Sequence, residues 1–269
     1  MLNDLLPAMV ACARRSAMER WQSSRADVER TTSTTQPQAG AFSASLRVPG
    51  IRIIAECKRR SPSRGILRAK YDPVAIALGY ERGGAAAVSV LTEGAFFDGH
   101  LDHLRAVRAS TRVPLLRKDF IVTEFQIVEA RAAGADAVLL ITAAMDDTTL
   151  KTLIGVARAS DLAAVVEVHT REELTRALQA GAVIVGVNSR DLRTLEVHTG
   201  IFDELILGIP NDLIAVAESG LKSVDDVRRL RAEGYDAFLM GERFMTESNP
   251  GAALADFRAS AGAELEELR

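Results

Sequence analysis

Six stretches of this sequence end an apolar run in residues that can move protons or hold anions. "IIAECK" ends in Glu56 and Lys58, "PLLRKDF" in Lys118 and Phe120, and "AAVVEVH" in Glu167 and His169. "VGVNSR" ends in Asn188 and Arg190, "VAESG" in Glu218, Ser219 and Gly220, and "AFLMGE" in Gly241 and Glu242. Side chains alternate along a strand, so Glu56 with Lys58, Lys118 with Phe120, and Asn188 with Arg190 each share a face. If those faces point inward, Lys58, Lys118, Arg190, Glu56, Glu167 and Glu218 converge on one cavity. Such a set can donate and accept protons and grip a carboxylate or phosphate, and none of its members is a hydrophobic core choice.

Each residue also has a plainer reading. Taken alone, Lys58 or Lys118 reads more simply as a strand-end lysine reaching solvent. Lys118 gains from its neighbours: it follows two leucines and precedes Phe120, where desolvation is expected to lower its pKa toward a range useful for proton transfer. Glu167 follows five apolar residues, where a lone carboxylate is costly unless it meets a cation. Glu56 can serve catalysis or simply pair with Lys58 or Lys118 in a structural ion network. His169 can tie down a loop or titrate. His100, His103 and His198 read as surface residues, and no spacing of His, Asp and Glu suggests a metal site. Cys57 alternates with Glu56 and Lys58, so it is expected to face outward as an inert core thiol. Ser61, Ser89 and Ser219 lack a GxSxG context, which argues against nucleophilic serine chemistry. Gly220 and Gly241 let backbone N–H groups approach an anion, and together they point to a phosphate ester.

The elements that would position these residues follow from the pattern. Short β-branched runs are expected at Arg52 to Cys57, Ala86 to Leu91, Pro114 to Phe120, Ala137 to Thr142, Ala163 to Val168, Val183 to Asn188, Ile214 to Ser219 and Ala237 to Gly241. Amphipathic stretches such as "DPVAIALGYERGGA" and "TREELTRALQAGA" separate them, several closing on Gly before the next strand. Eight such units predict an α/β fold, a (β/α)₈ TIM barrel over residues 51–269, with the strand ends building the active site. A doubly wound open sheet is the rival, but no GxGxxG or GxxxxGK[ST] follows the first strand. Residues 1–50 read as an N-terminal helical extension and linker: a short helix from Leu2 to Met18, then a Ser/Thr-rich lead-in from Gln22 to Gly40.

The 269 residues carry a net charge of -3, which argues against a duplex-binding surface. No apolar run approaches the roughly 20 residues that span a bilayer, so no membrane partner is expected. Two cysteines without a CxxC pair fit a reduced, cytoplasmic setting.

The fragments "IIAECKRRSPSRG", "VLTEGAFFDG", "PLLRKDFIVTEFQI", "GADAVLLI", "VVEVHTREEL", "VGVNSRDLRTLEV", "VAESGL" and "AFLMGERFM" occur in order from about Ile51 to Phe257. Together they resemble the indole-3-glycerol phosphate synthase family, whereas the first 50 residues match only loosely. The resemblance implies cofactor-free closure of an indole ring, with loss of carbon dioxide and water, from 1-(2-carboxyphenylamino)-1-deoxyribulose 5-phosphate in tryptophan biosynthesis. It implies that Lys118 is the general acid on the substrate carbonyl and that Glu167 stabilises the developing positive charge. Lys58 and Glu56 would position substrate or phosphate and serve the later dehydration, the division of steps between the two lysines staying open. Arg190 would hold the anthranilate carboxylate, and Asn188 would contact the sugar or order the site. Phe97, Phe120, Leu139, Leu192 and Leu195 would line an apolar slot for the ring, although Leu139 and Leu192 equally suit plain core. Ser61, Gly220, Gly241 and Glu242 would meet the phosphate, Glu242 through its backbone N–H, and Glu218 with Ser219 would complete the polar ring. "RRSPSRG" would be a loop that closes over the site. The expected partner is a small phosphorylated substrate, and the expected assembly a monomer or weak homo-oligomer.

Three other readings stay open at this point. A phosphoribosyl isomerase of similar barrel type would need a Cys or Asp acid/base pair, a Schiff-base aldolase would use Lys118 covalently, and a non-catalytic phosphate-binding barrel would leave gaps in the polar ring.

Overall fold

Buried β-branched runs become strands here because each is covered on both faces, by neighbouring strands' side chains within and by helices without. The computed structural model describes residues 5–32, 37 and 39–267. In chain order the barrel strands are β1 (Arg52–Cys57), β2 (Ala87–Leu91), β3 (Leu115–Lys118), β4 (Ala137–Ile141), β5 (Ala163–Val168), β6 (Ile184–Asn188), β7 (Ile214–Glu218) and β8 (Ala237–Met240). Every neighbouring pair is parallel, and β1 pairs with both β2 and β8, so the sheet closes into an eight-stranded barrel. The strands lie within a residue or two of the expected bounds.

Alternation sorts the residues into two layers. Ile54, Leu116, Leu139, Val165, Ile184, Val216 and Leu239 fill the barrel. Ile53, Cys57, Val88, Val90, Leu115 and Val138 pack outward under the helices. The helices start on side-chain caps: Asp72 accepts from the N–H groups of Val74 and Ala75, Thr170 from Glu173, and Ser223 from Asp226. On the return to β2, β4, β6 and β8 a glycine takes positive φ at 84, 134, 181 and 234. After two of these turns an aspartate reaches back to the strand before: Asp136 Oδ2 accepts from Leu115 N at 2.8 Å, and Asp236 Oδ2 from Ala215 N at 2.9 Å.

Two helices precede the barrel. α2 (Ala39–Arg47) sends the buried Phe42 and Leu46 into the interior cluster, and its Ser45 carbonyl accepts from Arg52 Nε at the start of β1. It therefore plugs the N-terminal end of the strands. α1 (Leu5–Thr32) is longer than the sequence suggests. The expected stop at Met18 and the lead-in from Gln22 are corrected as far as Thr32, while Leu2 to Asp4, residues 33–36 and Gln38 lie outside the described residues. The extra turns are held by tertiary contacts and not by periodicity. Trp21 packs edge-on to Phe125 at 5.3 Å between ring centroids, and Thr32 Oγ1 donates to Val128 O at 3.3 Å. No helix among the described residues is long and apolar enough to cross a membrane.

Candidate active site

All eight strands point their C-terminal ends to one side, and there a cavity of about 560 Å³ opens. Its wall includes Glu56 and Lys58 at the end of β1, Lys118 and Phe120 at the end of β3, Leu139 on β4, Asn188 and Arg190 at the end of β6, and Glu218, Ser219 and Gly220 at the end of β7. Gly241 and Glu242 after β8 join it, as do Ser61, Phe97, Leu192 and Leu195 from loops. Glu167 is the exception among the expected site residues. It borders a neighbouring cavity of about 60 Å³ instead.

Glu167 nonetheless organises the centre. Its Oε2 stands 3.2 Å from Lys118 Nζ, and its Oε1 accepts from Asn188 Nδ2 at 3.0 Å. Lys118 also faces Glu218 Oε2 at 3.6 Å, and Lys58 pairs with Glu56 Oε1 at 2.5 Å. The direction expected for Lys118 is corrected here. Burial does work to lower its pKa, but the combined fields of Glu167, Glu218 and Glu56 outweigh it and hold the ammonium above the ordinary lysine value. The same closeness acts in reverse on Glu218. Burial, with Glu167 and Glu56 beside it, raises its pKa to about 8 although Lys118 pulls the other way. Lys118 therefore stays charged near neutrality, and Glu218 holds its proton to a higher pH than an ordinary glutamate does.

Two glycines make room for these carboxylates. A Cβ on Gly186 of β6 would overlap Glu218 Oε1, and a Cβ on Gly241 would lie 2.6 Å from Glu56 Oε1 and 2.9 Å from Glu56 Cβ. Gly241 is therefore required by the close approach of Glu56, whatever else it meets. After β7, Ser219 and Gly220 both adopt positive φ, 66° and 69°, in a tight turn that brings the backbone to the cavity wall. Ser61 Oγ is buried and has no hydrogen-bond partner in the structure.

Loops close around the centre. Arg60–Ser61 pairs antiparallel with Gly65–Ile66 in a short ribbon. Arg64 at its tip reaches Glu242 Oε1 at 2.8 Å, and Arg59 pairs with Asp98. Arg190 donates to Leu195 O at 2.9 Å, and a bridge between Arg190 and Val197 folds that loop back on itself. Glu93 accepts from the N–H groups of Ala95, Phe96 and Phe97, which fixes the turn carrying Phe97. The rings of Phe97 and Phe120 lie 6.4 Å apart.

Some residues at the site were not singled out in the sequence. Met9 of α1 lines the cavity, and so do Asp119, Arg64, Lys222 and Arg243. No pattern in the sequence could have placed Met9 there, whereas Asp119 beside Lys118 in "RKDF" carried a readable signal. His103 is corrected from surface to half-buried, edge-on to Tyr71 at 5.4 Å. His169 Nδ1 lies 2.6 Å from Asn188 O and ties β5 to β6. Cys57 is fully buried in the outer layer, where desolvation pushes its thiol pKa far up. Among the described residues no group of His, Cys, Asp and Glu is arranged to hold a metal ion.

The family model for indole-3-glycerol phosphate synthase matches residues 8–257. Curated proteins of that description are similar across most of the chain. The one from Mycolicibacterium smegmatis is 51% identical over 213 residues, covering 79% of this chain and 78% of that protein. The one from Mycobacteroides abscessus is 50% identical with the same coverage, and the one from Rhodococcus jostii is 48% identical over 227 residues, covering 84% of each. Among solved structures, a thiamine phosphate pyrophosphorylase from Pyrococcus furiosus superposes with a TM-score of 0.60 at 19% identity. It covers 78% of this chain and 95% of that one, a likeness of fold alone.

Proposed function

This chain belongs to the indole-3-glycerol phosphate synthase family, and we propose how its residues divide the ring closure among them. The enzyme is a carboxy-lyase of tryptophan biosynthesis acting on a small phosphorylated substrate, 1-(2-carboxyphenylamino)-1-deoxyribulose 5-phosphate. It forms indole-3-glycerol phosphate and releases carbon dioxide and water.

Lys118 is the general acid. Ring closure puts negative charge on the substrate carbonyl oxygen, and an ammonium held charged beside Glu167, Glu218 and Glu56 donates to it as the charge develops. The observation that carries this reading is the contact of Lys118 Nζ with Glu167 at 3.2 Å and Glu218 at 3.6 Å. A Schiff-base role would need the neutral amine, which the same field disfavours. Cys57, turned into the outer layer, does not suit an isomerase acid/base pair.

Glu167, steadied by Asn188, faces the positive charge that grows on the anilino nitrogen. Arg190 offers a guanidinium fork to the carboxylate that leaves as carbon dioxide. Phe97, Phe120, Leu139, Leu192 and Leu195 form the apolar slot for the ring. Lys58 with Glu56 orients the sugar phosphate and serves the dehydration. Ser61 Oγ and the backbone around Ser219, Gly220 and Glu242 receive the phosphate. Arg64 offsets the Glu242 carboxylate, which would otherwise repel that anion. Residues 1–50 serve as an extension to the 51–269 barrel, working in the cytoplasm as a monomer or weak homo-oligomer. Two free thiols support that setting.

Lys118→Met tests the assignment. Indole fluorescence appearing on mixing enzyme with substrate is expected from the wild type, with a loss of about a thousandfold in kcat in the folded variant. Turnover near wild type in Lys118→Met would overturn it.

A further inference from the structure

The outer face of a barrel strand is normally apolar, yet β3 turns Arg117 into that layer at 1% exposure. Its guanidinium is fully engaged. Nη2 pairs with Asp119 Oδ2 at 2.9 Å and Nη1 with Glu129 Oε2 at 3.0 Å, while Nη1 also donates to Gln126 O and Nε to Thr92 Oγ1. Glu129, on the helix Glu124–Ala132, is equally buried, and both its oxygens are also taken by Arg20 of α1, at 2.6 and 3.0 Å. At the other end, Asp119 accepts from Thr92 Oγ1 at 2.6 Å and from Phe120 N at 2.8 Å, and Lys118 O accepts from Thr92 N at 3.0 Å. The residues on both sides of Lys118 are therefore held by one buried chain of charges that begins on the N-terminal helix.

We propose that Arg20 is a positioning residue for Lys118, acting through the chain Arg20–Glu129–Arg117–Asp119. The inference rests on the reading of Lys118 as the acid. Two arginines balance two carboxylates in this chain, and three of the four are nearly sealed from water, so each charge depends on its partners. Removing Arg20 leaves Arg117 to satisfy both Glu129 and Asp119. The guanidinium is then drawn toward Glu129, its hold on Asp119 slackens, and the strand end that aims Lys118 at Glu167 loses its brace. An acid displaced by a fraction of an ångström costs rate at the chemical step while substrate binding is little changed.

Arg20→Ala, Arg20→Lys, Trp21→Ala and Lys118→Met in the full chain test this, with kcat, KM and Tm measured for each and kinetics run well below every Tm. Trp21→Ala removes packing between the same two helices, and the stacking of Arg25 on that ring, while leaving the four charges of the chain in place. The expected result for Arg20→Ala is a fall of about tenfold in kcat with KM within about twofold of wild type. Arg20→Lys should recover part of that loss, and Trp21→Ala should lower Tm while keeping kcat. Wild-type kcat in Arg20→Ala, a change in KM alone, or an equal kcat loss in Trp21→Ala would each overturn the proposal. If Lys118→Met retains turnover, the acid assignment itself falls; if it is inactive while Arg20→Ala is normal, only the positioning role falls.

Discussion

Glu218 shows what one buried carboxyl does to the pH response of the fold. An ordinary glutamate has a pKa of 4.5, and burial beside Glu167 and Glu56 lifts this one to about 8. Between those values the folded protein keeps a proton that the unfolded chain has released. Stability with respect to this group therefore falls as pH rises from about 4.5 to about 8. Glu218→Gln keeps the shape and removes the ionisation. Compared by urea denaturation from about pH 5 to about pH 9, the variant should gain on the wild type as pH rises. Parallel curves would mean that Glu218 is ionised in the folded state throughout.

At the scale of elements, β6 and β7 fit each other through a glycine and an acid. Gly186 faces into the barrel beside Glu218, and the pairing of Asn188 with Glu218 sets their register. A Cβ at 186 would overlap Glu218 Oε1, stand 3.2 Å from its Cδ and 3.3 Å from Val165 Cγ1. Gly186→Ala should cost about 1–3 kcal/mol and displace the carboxyl from Lys118. In a Glu218→Ala background the same change should cost much less, since the closest obstacle is gone and only Val165 Cγ1 at 3.3 Å remains. Equal costs in both backgrounds would place the strain elsewhere. The strands themselves were legible because a closed parallel barrel demands uninterrupted apolar runs and confines charges to their ends. The extent of α1 was not, since its second half is polar and is supported by Phe125, Val128 and Glu129, residues of a distant helix. The direction of the Lys118 shift was hidden for a related reason. Its immediate neighbours are apolar and suggest a lowered pKa, but the carboxylates that decide the matter arrive on β5 and β7.

At the scale of the whole molecule, the barrel is completed by contacts between its two ends. β8 pairs with β1, and outside them the last helix, Pro250–Glu267, packs on the first barrel helix, Pro73–Arg82. The helices meet at two glycines: a Cβ on Gly251 would lie 2.5 Å from Gly79 O and 2.7 Å from Gly79 Cα. These are backbone atoms, which cannot step aside as a side chain would, so any larger residue must push the helices apart. Gly251→Ala should cost about 1–3 kcal/mol, lowering Tm by about 2–4 °C per kcal/mol. The contact lies outside the sheet, whereas Lys118, Glu167 and Glu218 stand inside the mouth on β3, β5 and β7. Below the transition kcat should therefore stay within about twofold of wild type, because closure is needed for the barrel to form more than for its strand ends to be aimed. A selective loss of kcat with Tm unchanged would instead mean that the joint between the chain's ends reaches the catalytic centre directly. The route would then be through Arg68, which donates to the carbonyls of Glu247 and Ser248 just before this helix and flanks the loop over the site.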